Sequence, residues 1–432
     1  MTPVATGIIG IGVLLILLFS RIQIGAAMGL VGFAGFASLI GIVPALGLLK
    51  TVPYSTFSQY DLSVIPLFIL MGAFAFEAGL SENLYRAVYN WLGHFRGGLA
   101  MATVAACACF AAISGSSLAT AATLGAVALP EMKRYKYSDS LATGAVAAGG
   151  SIGILIPPSV ILIIYGMITE QSIGKLFLAG FIPGVLEAVF YIITIAILTK
   201  INPSLGPRGP QTLLRDKVVA FTKMWEVLVL FLLVIGGIYS GVFTPTEAAG
   251  VGAFGAFFFT VLRGKLNWGS FKNSLLNTIS TTGMLFFIIL GAMLLGYFLS
   301  VTRLPSELAN FVGGWPVNRY IILISILVVF LLLGCVMDSM AIVLLTVPIF
   351  FPLIVQLGFD PIWFGILVVR LTEMGLITPP VGLNVYIIKG ISNVPMGTIF
   401  RGIVPFLIAD ACEVALLMAV PQLSLFLPSL MK

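Results

Sequence analysis

Charged side chains are scarce in this chain. Its 432 residues include 22 Lys and Arg and 16 Asp and Glu, 9% in all, where an average soluble domain has about 25%. So few charges cannot cover a water-facing surface, which excludes a soluble enzyme. Residues 22–49, 97–130 and 140–169 carry no charge, and each stretch exceeds the roughly 20 apolar residues that cross a bilayer. We therefore predict an all-α, polytopic membrane protein without enzyme activity.

Histidine and cysteine are rare as well. His94 is the one histidine in the sequence, so a histidine-based metal or haem site is excluded. The four cysteines lie in apolar stretches without a metal-binding spacing, and we interpret them as packing residues. The net charge of +6 does not indicate a nucleic-acid partner, because basic loops orient such proteins in the membrane.

An internal repeat organises the chain. A shift of 222 residues brings Ser117 onto Ser339, Gly153 onto Gly375 and Pro157-Pro158 onto Pro379-Pro380. The same shift aligns Ala119 with Ala341, Pro130 with Pro352, Gly180 with Gly402 and Pro183 with Pro405. Gly and Pro carry the most weight in this comparison because they determine backbone geometry. A single offset over such a length indicates two copies of one unit.

Each copy contains five predicted spans. They lie near residues 4–22, 25–44, 62–80, 138–169 and 175–199 in the first copy, and near 226–242, 247–263, 276–300, 360–391 and 397–428 in the second. Each copy also has an apolar stretch, 97–131 or 320–354, that is too long for one span and too short for two. Polar residues at 114–117 and 337–339 interrupt these stretches. We predict two re-entrant hairpins, whose turns must be buried in protein or line a cavity.

An odd number of spans inverts the second copy relative to the first. With the N-terminus outside, 16 of the 22 basic residues fall on the cytoplasmic side and five fall outside, which is the expected bias. The predicted organisation is a first inverted repeat at residues 1–200, a cytoplasmic linker at 201–225 and a second repeat at 226–432. Residues 81–95 show the spacing of an amphipathic helix that lies in the membrane interface.

Both copies interrupt a long span with the pattern Gly-x-x-x-Pro-Pro. Adjacent prolines remove backbone donors and free carbonyl oxygens, and broken helices in inverted repeats are the architecture of secondary transporters. One such pair is typical of a structural kink, but two at the same offset, each accompanied by a Ser-bearing hairpin, favour a binding site. Carbonyl and hydroxyl oxygens suit a hard cation such as Na⁺. We predict two Na⁺ sites and no organic cofactor, the first at Ser114, Ser116, Gly153, Ile156 and Pro158, and the second at Asp338, Ser339, Gly375, Thr378 and Pro380.

Charges within membrane spans are costly and mark functional sites. Arg370 is the one basic residue that falls away from the ends of a predicted span, and Glu373 follows it by one turn. Arg370 either pairs with Glu373 or binds a substrate carboxylate in bidentate fashion. Asp338 likewise either binds a cation or pairs with Arg370. The predicted substrate contacts are Ser117, Arg370 and Asn384.

At these residues the sequence resembles the large membrane subunit of the tripartite ATP-independent periplasmic (TRAP) transporters. The motifs that carry the resemblance are Ser114-Gly-Ser-Ser-Leu-Ala-Thr120, Gly153-Ile-Leu-Ile-Pro-Pro-Ser159, Thr244-Pro-Thr-Glu-Ala-Ala249, Met337-Asp-Ser339 and Gly375-Leu-Ile-Thr-Pro-Pro-Val-Gly-Leu-Asn384. The resemblance covers nearly the whole chain. A P-loop for ATP does not occur in the sequence, which agrees with ion-driven transport.

The resemblance implies an elevator mechanism, in which a transport domain that carries both hairpins slides against a scaffold of the outer spans. It also implies Na⁺ coupling, a small four-helix membrane subunit as a separate chain, and an extracytoplasmic binding protein. The expected function is Na⁺-coupled uptake of an organic acid anion, of the C4-dicarboxylate or sialic acid type, across a bacterial inner membrane. The alternative is a stand-alone Na⁺/anion symporter of the same architecture without a binding protein.

Overall fold

The described chain is built of helices. The computed structural model describes residues 2–20, 22–209, 213–222, 224–313 and 316–431, and no β-strand occurs among them. The helices of the first half are α1 (Pro3–Phe19), α2 (Ile24–Ile40), α3 (Ile42–Phe57), α4 (Val64–Glu77), α5 (Leu80–Leu92), α6 (Gly98–Ser114), α7 (Ser117–Arg134), α8 (Asp139–Ser151), α9 (Val160–Thr169) and α10 (Ile173–Ile201). Those of the second half are α11 (Leu214–Thr222), α12 (Trp225–Tyr239), α13 (Pro245–Leu262), α14 (Trp268–Thr302), α15 (Leu304–Gly313), α16 (Arg319–Gly334), α17 (Ser339–Gln356), α18 (Pro361–Ile377), α19 (Leu383–Ser392), α20 (Met396–Ala419) and α21 (Gln422–Ser429).

Many of these helices suit a bilayer. Within the described residues, six helices are long and apolar enough to cross a membrane, namely α4 with the 3₁₀ turn before it, α10, α13, α14, α17 and α20. Helices α1, α2, α6, α9, α12 and α16 are also apolar but shorter, with 10–17 residues. A helix satisfies its own backbone hydrogen bonds, as lipid requires. The predicted all-α membrane fold is confirmed.

The repeat is visible in the helix boundaries. Helix α7 begins at Ser117 and α17 begins at Ser339, and their last residues, Arg134 and Gln356, are separated by the same 222 positions. Helices α8 and α18 also begin 222 positions apart. Each half therefore contains a helical hairpin (α6–α7 or α16–α17) followed by an interrupted pair (α8–α9 or α18–α19) and a long helix (α10 or α20).

Some boundaries differ from the predicted spans. The span predicted at 397–428 ends at Ala419, and a separate helix, α21, follows Pro421, because proline lacks the backbone donor that would continue α20. The span predicted at 25–44 ends at Ile40, where Gly41 has φ +111°, and α3 follows it. The predicted linker 201–225 contains α11, while its residues 210–212 and 223 lie outside the described part of the chain.

Helix α14 is longer than the span predicted at 276–300. It begins at Trp268 because the side chain of Asn267 accepts a hydrogen bond from the Ser270 backbone N–H at 2.9 Å and so caps the helix. Its 35 residues extend over about 50 Å, well beyond the roughly 30 Å hydrocarbon core. The first turns of α14, which carry Asn273 and Asn277, are thus an extension of an otherwise apolar helix.

Glycine allows α8 and α20, one from each repeat, to pack with their backbones in contact. A Cβ built on Gly144 would lie 2.5 Å from the Gly402 carbonyl carbon, and a Cβ built on Gly402 would overlap the Ser140 carbonyl oxygen. Real Cβ atoms do not approach backbone so closely, so any side chain at these positions forces the helices apart. The two repeats are joined at this contact.

We expect Gly402→Ala to lower the melting temperature of the purified protein by roughly 2–12 °C, because overpacking costs about 1–3 kcal/mol and each kcal/mol shifts the melting temperature by about 2–4 °C. Gly397→Ala, in the same helix, is the matched control, since a Cβ there has no neighbour within 4 Å. Thermal unfolding of both variants in detergent measures the difference. Equal shifts for the two variants would show that the α8–α20 contact tolerates a side chain.

Candidate ion and substrate site

The first hairpin turns at residues 114–117 with several oxygen atoms close together. Helix α6 ends at Ser114, and Gly115 takes φ +59°, a left-handed conformation that glycine adopts without strain. The side chain of Ser116 then caps α7 by accepting a hydrogen bond from the Ala119 N–H at 3.4 Å. Ser114 Oγ lies 2.7 Å from Thr120 Oγ1, which donates to the Ser116 carbonyl oxygen at 2.8 Å. Hydroxyl and carbonyl oxygens therefore converge at this turn.

This turn touches the first interrupted helix. A Cβ built on Gly115 would lie 2.8 Å from the Pro158 carbonyl oxygen. A Cβ built on Gly153 would lie 3.0 Å from Thr120 Oγ1 and 3.1 Å from the Ser116 carbonyl oxygen. Glycine at both positions permits this close approach. The structure thus brings together four of the five residues predicted for the first cation site, namely Ser114, Ser116, Gly153 and Pro158.

The first interruption lies between α8 and α9. Helix α8 ends at Ser151, a 3₁₀ turn covers Ile152–Ile154, and α9 begins at Val160 after a cap at Ser159, whose side chain accepts from the Leu162 N–H at 3.3 Å. Ile156, the fifth predicted residue, packs against Gly184 of α10.

The second hairpin repeats this design with a carboxylate. Helix α16 ends at Gly334, and Asp338 caps α17 by accepting a hydrogen bond from the Met340 N–H at 3.1 Å. Asp338 therefore has the capping role that Ser116 has in the first copy. Next to it, the hydroxyl of Ser339 is buried and has no hydrogen-bond partner among the described residues.

The second interruption, between α18 and α19, contacts the second hairpin. The backbone N–H groups of Val381 and Gly382 donate to the Cys335 carbonyl oxygen at 3.3 and 3.4 Å. A Cβ built on Gly334 would lie 2.9 Å from the Gly375 Cα. The backbones of the hairpin and of α18 are therefore in contact. Thr378 donates its hydroxyl to the Met374 carbonyl oxygen at 2.6 Å. Pro380 is exposed, whereas Pro158 in the first copy is buried.

Both hairpin tips border one cavity of about 610 Å³, a size that fits a small molecule. The first tip contributes Ser114, Ser116 and Ser117, and the second contributes Asp338. Asn384 does not line the cavity but is fully buried, and its amide donates to the Ala147 carbonyl oxygen at 3.3 Å. Of the three predicted substrate contacts, Ser117 is the one that reaches this space.

The cavity wall opposite the tips comes from α4 and α14. Helix α14 presents Asn273, Ser274, Asn277 and Thr281, which follow one another at helical spacing, and α4 contributes Glu77. Sequence reasoning missed this polar face, although polar residues at intervals of three or four on an otherwise apolar helix were a readable signal.

Three helices begin at the cavity. The first turns of α7, α9 and α17 line it through Leu118, Val160 and Met340. The N-terminus of a helix carries about half a positive charge and unpaired N–H groups, so it attracts anions. No Lys or Arg lines the cavity among the described residues, while Glu77 and Asp338 do. An anion in this space thus faces helix dipoles and two carboxylates rather than a basic side chain.

Arg370 lies away from this cavity in a cluster of acids. It is fully buried, and its guanidinium contacts Asp410 at 2.5 Å, Glu413 at 2.9 Å and Glu187 at 3.1 Å. The pairing with Glu373 that the sequence suggested is present at a longer distance of 3.7 Å. Sequence reasoning missed the other three acids, although each lies within a predicted span, where a charge requires a partner.

Two copies of a hairpin that contacts an interrupted helix, arranged beside one cavity in an all-α membrane protein, form an architecture that occurs in membrane transporters. Residues 11–423 match the family model described as tripartite ATP-independent periplasmic transporter, DctM component. The chain belongs to this family, which confirms the resemblance drawn from the motifs. The family is one of membrane transporters, and the chain is a multi-pass membrane protein.

Relatives agree with this assignment. The chain is 38% identical over 377 residues to the C4-dicarboxylate TRAP transporter large permease protein DctM of Pseudomonas aeruginosa. This alignment covers 87% of the present chain and 88% of the relative. It is 34% identical to the sialic acid TRAP transporter large permease protein SiaM of Vibrio cholerae, over 86% of this chain and 87% of the relative. It also matches 64% of the isethionate TRAP transporter permease protein DctMQ of Oleidesulfovibrio alaskensis, at 31% identity over 96% of this chain.

A solved structure shares the fold. The YdaH transporter of Alcanivorax borkumensis, whose crystal structure is described as having an unusual topology, aligns with a TM-score of 0.63 at 16% identity. The alignment covers 88% of this chain and 89% of the transporter.

Proposed function

We propose that this protein is the large permease subunit of a TRAP transporter that couples the inward movement of Na⁺ to the uptake of a small organic acid anion. The observation that carries the proposal is the cavity between the two hairpin tips, which residues from the first turns of three helices line and which, among the described residues, no basic side chain lines. An anion is stabilised there by helix dipoles, and cations bound at the tips supply the remaining positive charge. The relatives named above suggest a C4-dicarboxylate or sialic acid as substrate.

Oxygen atoms at the hairpin tips support the Na⁺ sites. The first site would use Ser114, Ser116 and the carbonyl oxygens near Gly153 and Pro158, whose backbones the tip contacts. The second would use Asp338, Ser339 and the backbone near Gly375, where the buried Ser339 hydroxyl has no hydrogen-bond partner in the described part of the chain. These are hydroxyl, carbonyl and carboxylate oxygens, the ligands that hard cations prefer.

Energetics favour more than one coupling ion. Each elementary charge that crosses 100 mV is worth about 2.3 kcal/mol. A monoanion that moves with one Na⁺ carries no net charge, so the membrane potential does not drive it. A second Na⁺ adds about 2.3 kcal/mol, which corresponds to roughly 50-fold accumulation. Two cation sites, one per repeat, would therefore make uptake of a monoanion responsive to the membrane potential, whereas a dianion would need a third Na⁺ for the same gain.

An elevator movement is the mechanism that we propose. A second cavity, of about 390 Å³, lies along the same helices as the first, between α9, α14 and α17, and is lined by Met167, Tyr297 and Leu344. Helix α14 thus borders both cavities, one near each of its ends, while α9 faces the first with its start and the second with its end. A rigid unit carrying both hairpins could slide along α14 and open the site alternately to the two sides, with the N-terminus of the chain outside.

The proposed partners are a small four-helix membrane subunit and an extracytoplasmic binding protein, as the word tripartite in the family description suggests. The alternative is a stand-alone symporter, which would need no binding protein. Measuring uptake with and without the binding protein distinguishes the tripartite transporter from the stand-alone symporter.

The test is uptake of labelled C4-dicarboxylates and sialic acid into vesicles that contain the permease and its small subunit, with a cognate extracytoplasmic binding protein added outside. We expect accumulation that requires an inward Na⁺ gradient. With two Na⁺ per cycle, uptake of the monoanion sialic acid should also increase when the interior is made negative, because net positive charge enters, whereas uptake of a dicarboxylate dianion should not. Vesicles without the permease are the control. Uptake at the full rate without Na⁺ would contradict the coupling, and uptake at the full rate without the binding protein would establish the stand-alone symporter.

A further inference from the structure

The cavity between the hairpin tips has two walls that differ in chemistry. The hairpin tips and the first turns of α7, α9 and α17 form one wall, where helix N-termini suit the carboxylate of a bound anion. The other wall is formed by α4 and α14, and its polar groups are neutral amides and hydroxyls with one carboxylate, Glu77. The first wall accommodates one carboxylate group, so the second wall determines which other groups the substrate can carry.

Helix α14 offers neutral hydrogen-bonding groups over a considerable length. Asn273, Ser274, Asn277 and Thr281 all line the cavity, and together they extend along about 12 Å of the helix. The amide oxygen of Asn277 accepts a long hydrogen bond of 3.5 Å from the Thr281 hydroxyl, which leaves the two N–H donors of the amide for a ligand. Such a row of groups suits a molecule with several neutral polar substituents.

Ser274 indicates that a ligand belongs at this wall. Its side chain is buried, and its hydroxyl has no hydrogen-bond partner in the part of the chain that the structure describes. A buried hydroxyl without a partner is destabilising. Thr278, one turn later, avoids that cost by donating its hydroxyl to the Ser274 carbonyl oxygen at 2.8 Å. Because Ser274 borders the cavity, a polar group of a bound molecule can satisfy its hydroxyl.

Glu77 determines which charge this wall accepts. It is the last residue of α4, it borders the cavity, and it forms no ion pair with a described basic residue. A carboxylate placed beside it would meet a like charge, which is strongly unfavourable where little water screens the two. The second carboxylate of a diacid therefore finds no favourable partner at the α4–α14 wall.

We propose that the substrate is a monocarboxylate whose other polar groups are neutral, such as a hydroxylated sugar acid, and that a dicarboxylate is disfavoured. Ser274 and Asn277 of α14 bind its hydroxyl or amide groups, and Glu77 repels a second carboxylate. This inference rests on the proposed function, because it concerns the substrate of the same cavity. Of the two substrate types that the relatives suggest, it selects the sialic acid type.

Binding of matched acids to the permease tests the substrate class. Hexanoate, gluconate and glucarate have carbon chains of equal length, but gluconate adds hydroxyl groups and glucarate adds a second carboxylate as well. Titration calorimetry measures their binding in Na⁺ to the purified permease with its small subunit, together with that of sialic acid and succinate. We expect gluconate or sialic acid to bind roughly 10-fold more tightly than the other three acids. Tightest binding of hexanoate, glucarate or succinate would overturn the proposal, as would a failure of both hydroxylated acids to bind.

Two substitutions assign the selectivity to this wall. Asn277→Ala should weaken binding of the hydroxylated acid roughly 10-fold and leave hexanoate unchanged, because hexanoate has no group for the amide to bind. Glu77→Gln should strengthen binding of succinate and glucarate roughly 10-fold, because the like charge is gone. Ser280→Ala, at an exposed position of α14 that does not line the cavity, is the control. Equal weakening of all five acids by Asn277→Ala would indicate a structural role and contradict the assignment.

The same titrations separate this inference from the proposed function. Succinate as the tightest ligand, with binding that requires Na⁺, would leave Na⁺-coupled anion transport intact and overturn the substrate class alone. Binding that is equally tight when choline replaces Na⁺ would instead contradict the Na⁺ coupling, while the order of affinities still decides the substrate class. The binding protein is absent from these titrations, so its own selectivity does not affect the result.

Discussion

Replacing Asp338 with asparagine should raise the Na⁺ concentration for half-maximal uptake by roughly 10–100-fold. A contact with a charged group contributes about 1.5–3 kcal/mol, and each 1.4 kcal/mol is a factor of ten in affinity. Asp338 is the one carboxylate at either hairpin tip, and it lines the cavity. Na⁺ dependence of initial uptake rates in reconstituted vesicles measures the effect.

Asparagine is the informative replacement because it separates two roles of Asp338. The carboxylate caps α17 through the Met340 N–H, and asparagine caps helices as well as aspartate does. Folding should therefore persist while the charge is lost. Asp338→Ser, which copies Ser116 at the equivalent position of the first repeat, serves as a second variant and should weaken Na⁺ binding similarly. An unchanged Na⁺ dependence in both variants would leave Asp338 as a helix cap alone.

The hairpins and the interruptions could be predicted from the sequence because their determinants are local. Glycine and proline act on the backbone at their own positions, so Gly115, Gly153 and Pro158 reveal where the chain turns without any knowledge of packing. The exact repeat then places each hairpin beside an interruption. Contacts between Gly115 and Pro158, and between Gly334 and Gly375, follow that arrangement.

Other parts of the site depend on which helices become neighbours, which no local pattern specifies. Asn273 and Asn277 matter because α14 faces the hairpin tips, and that follows from the assembly of distant spans. Glu187 and Glu413 are far apart in sequence and meet at Arg370 only because α10, α18 and α20 pack together. Sequence reasoning therefore left the role of Arg370 open between an internal partner and a substrate contact.

Arg370→Leu should prevent accumulation of folded protein. The substitution leaves four buried carboxyl groups without a cation, and breaking a single buried pair already costs about 3–5 kcal/mol, a large fraction of the 5–15 kcal/mol by which proteins are typically stable. Arg370→Lys should be less severe but still destabilising, because one ammonium cannot reproduce the planar contacts of a guanidinium. The yield of monodisperse protein in size-exclusion chromatography measures both effects.

A variant that removes both Arg370 and the acids around it tests whether Arg370 is needed for transport. Combining Arg370→Leu with leucine at Glu187, Glu373, Asp410 and Glu413 removes the charge together with its partners, and exchanging a whole buried ion network for apolar residues of similar volume is often tolerated. We expect this variant to fold and to retain Na⁺-dependent uptake, because Arg370 is fully buried and does not line the cavity. A variant that folds but binds no substrate would instead assign Arg370 to the substrate carboxylate, since the cluster would then be dispensable for stability and its arginine essential for recognition.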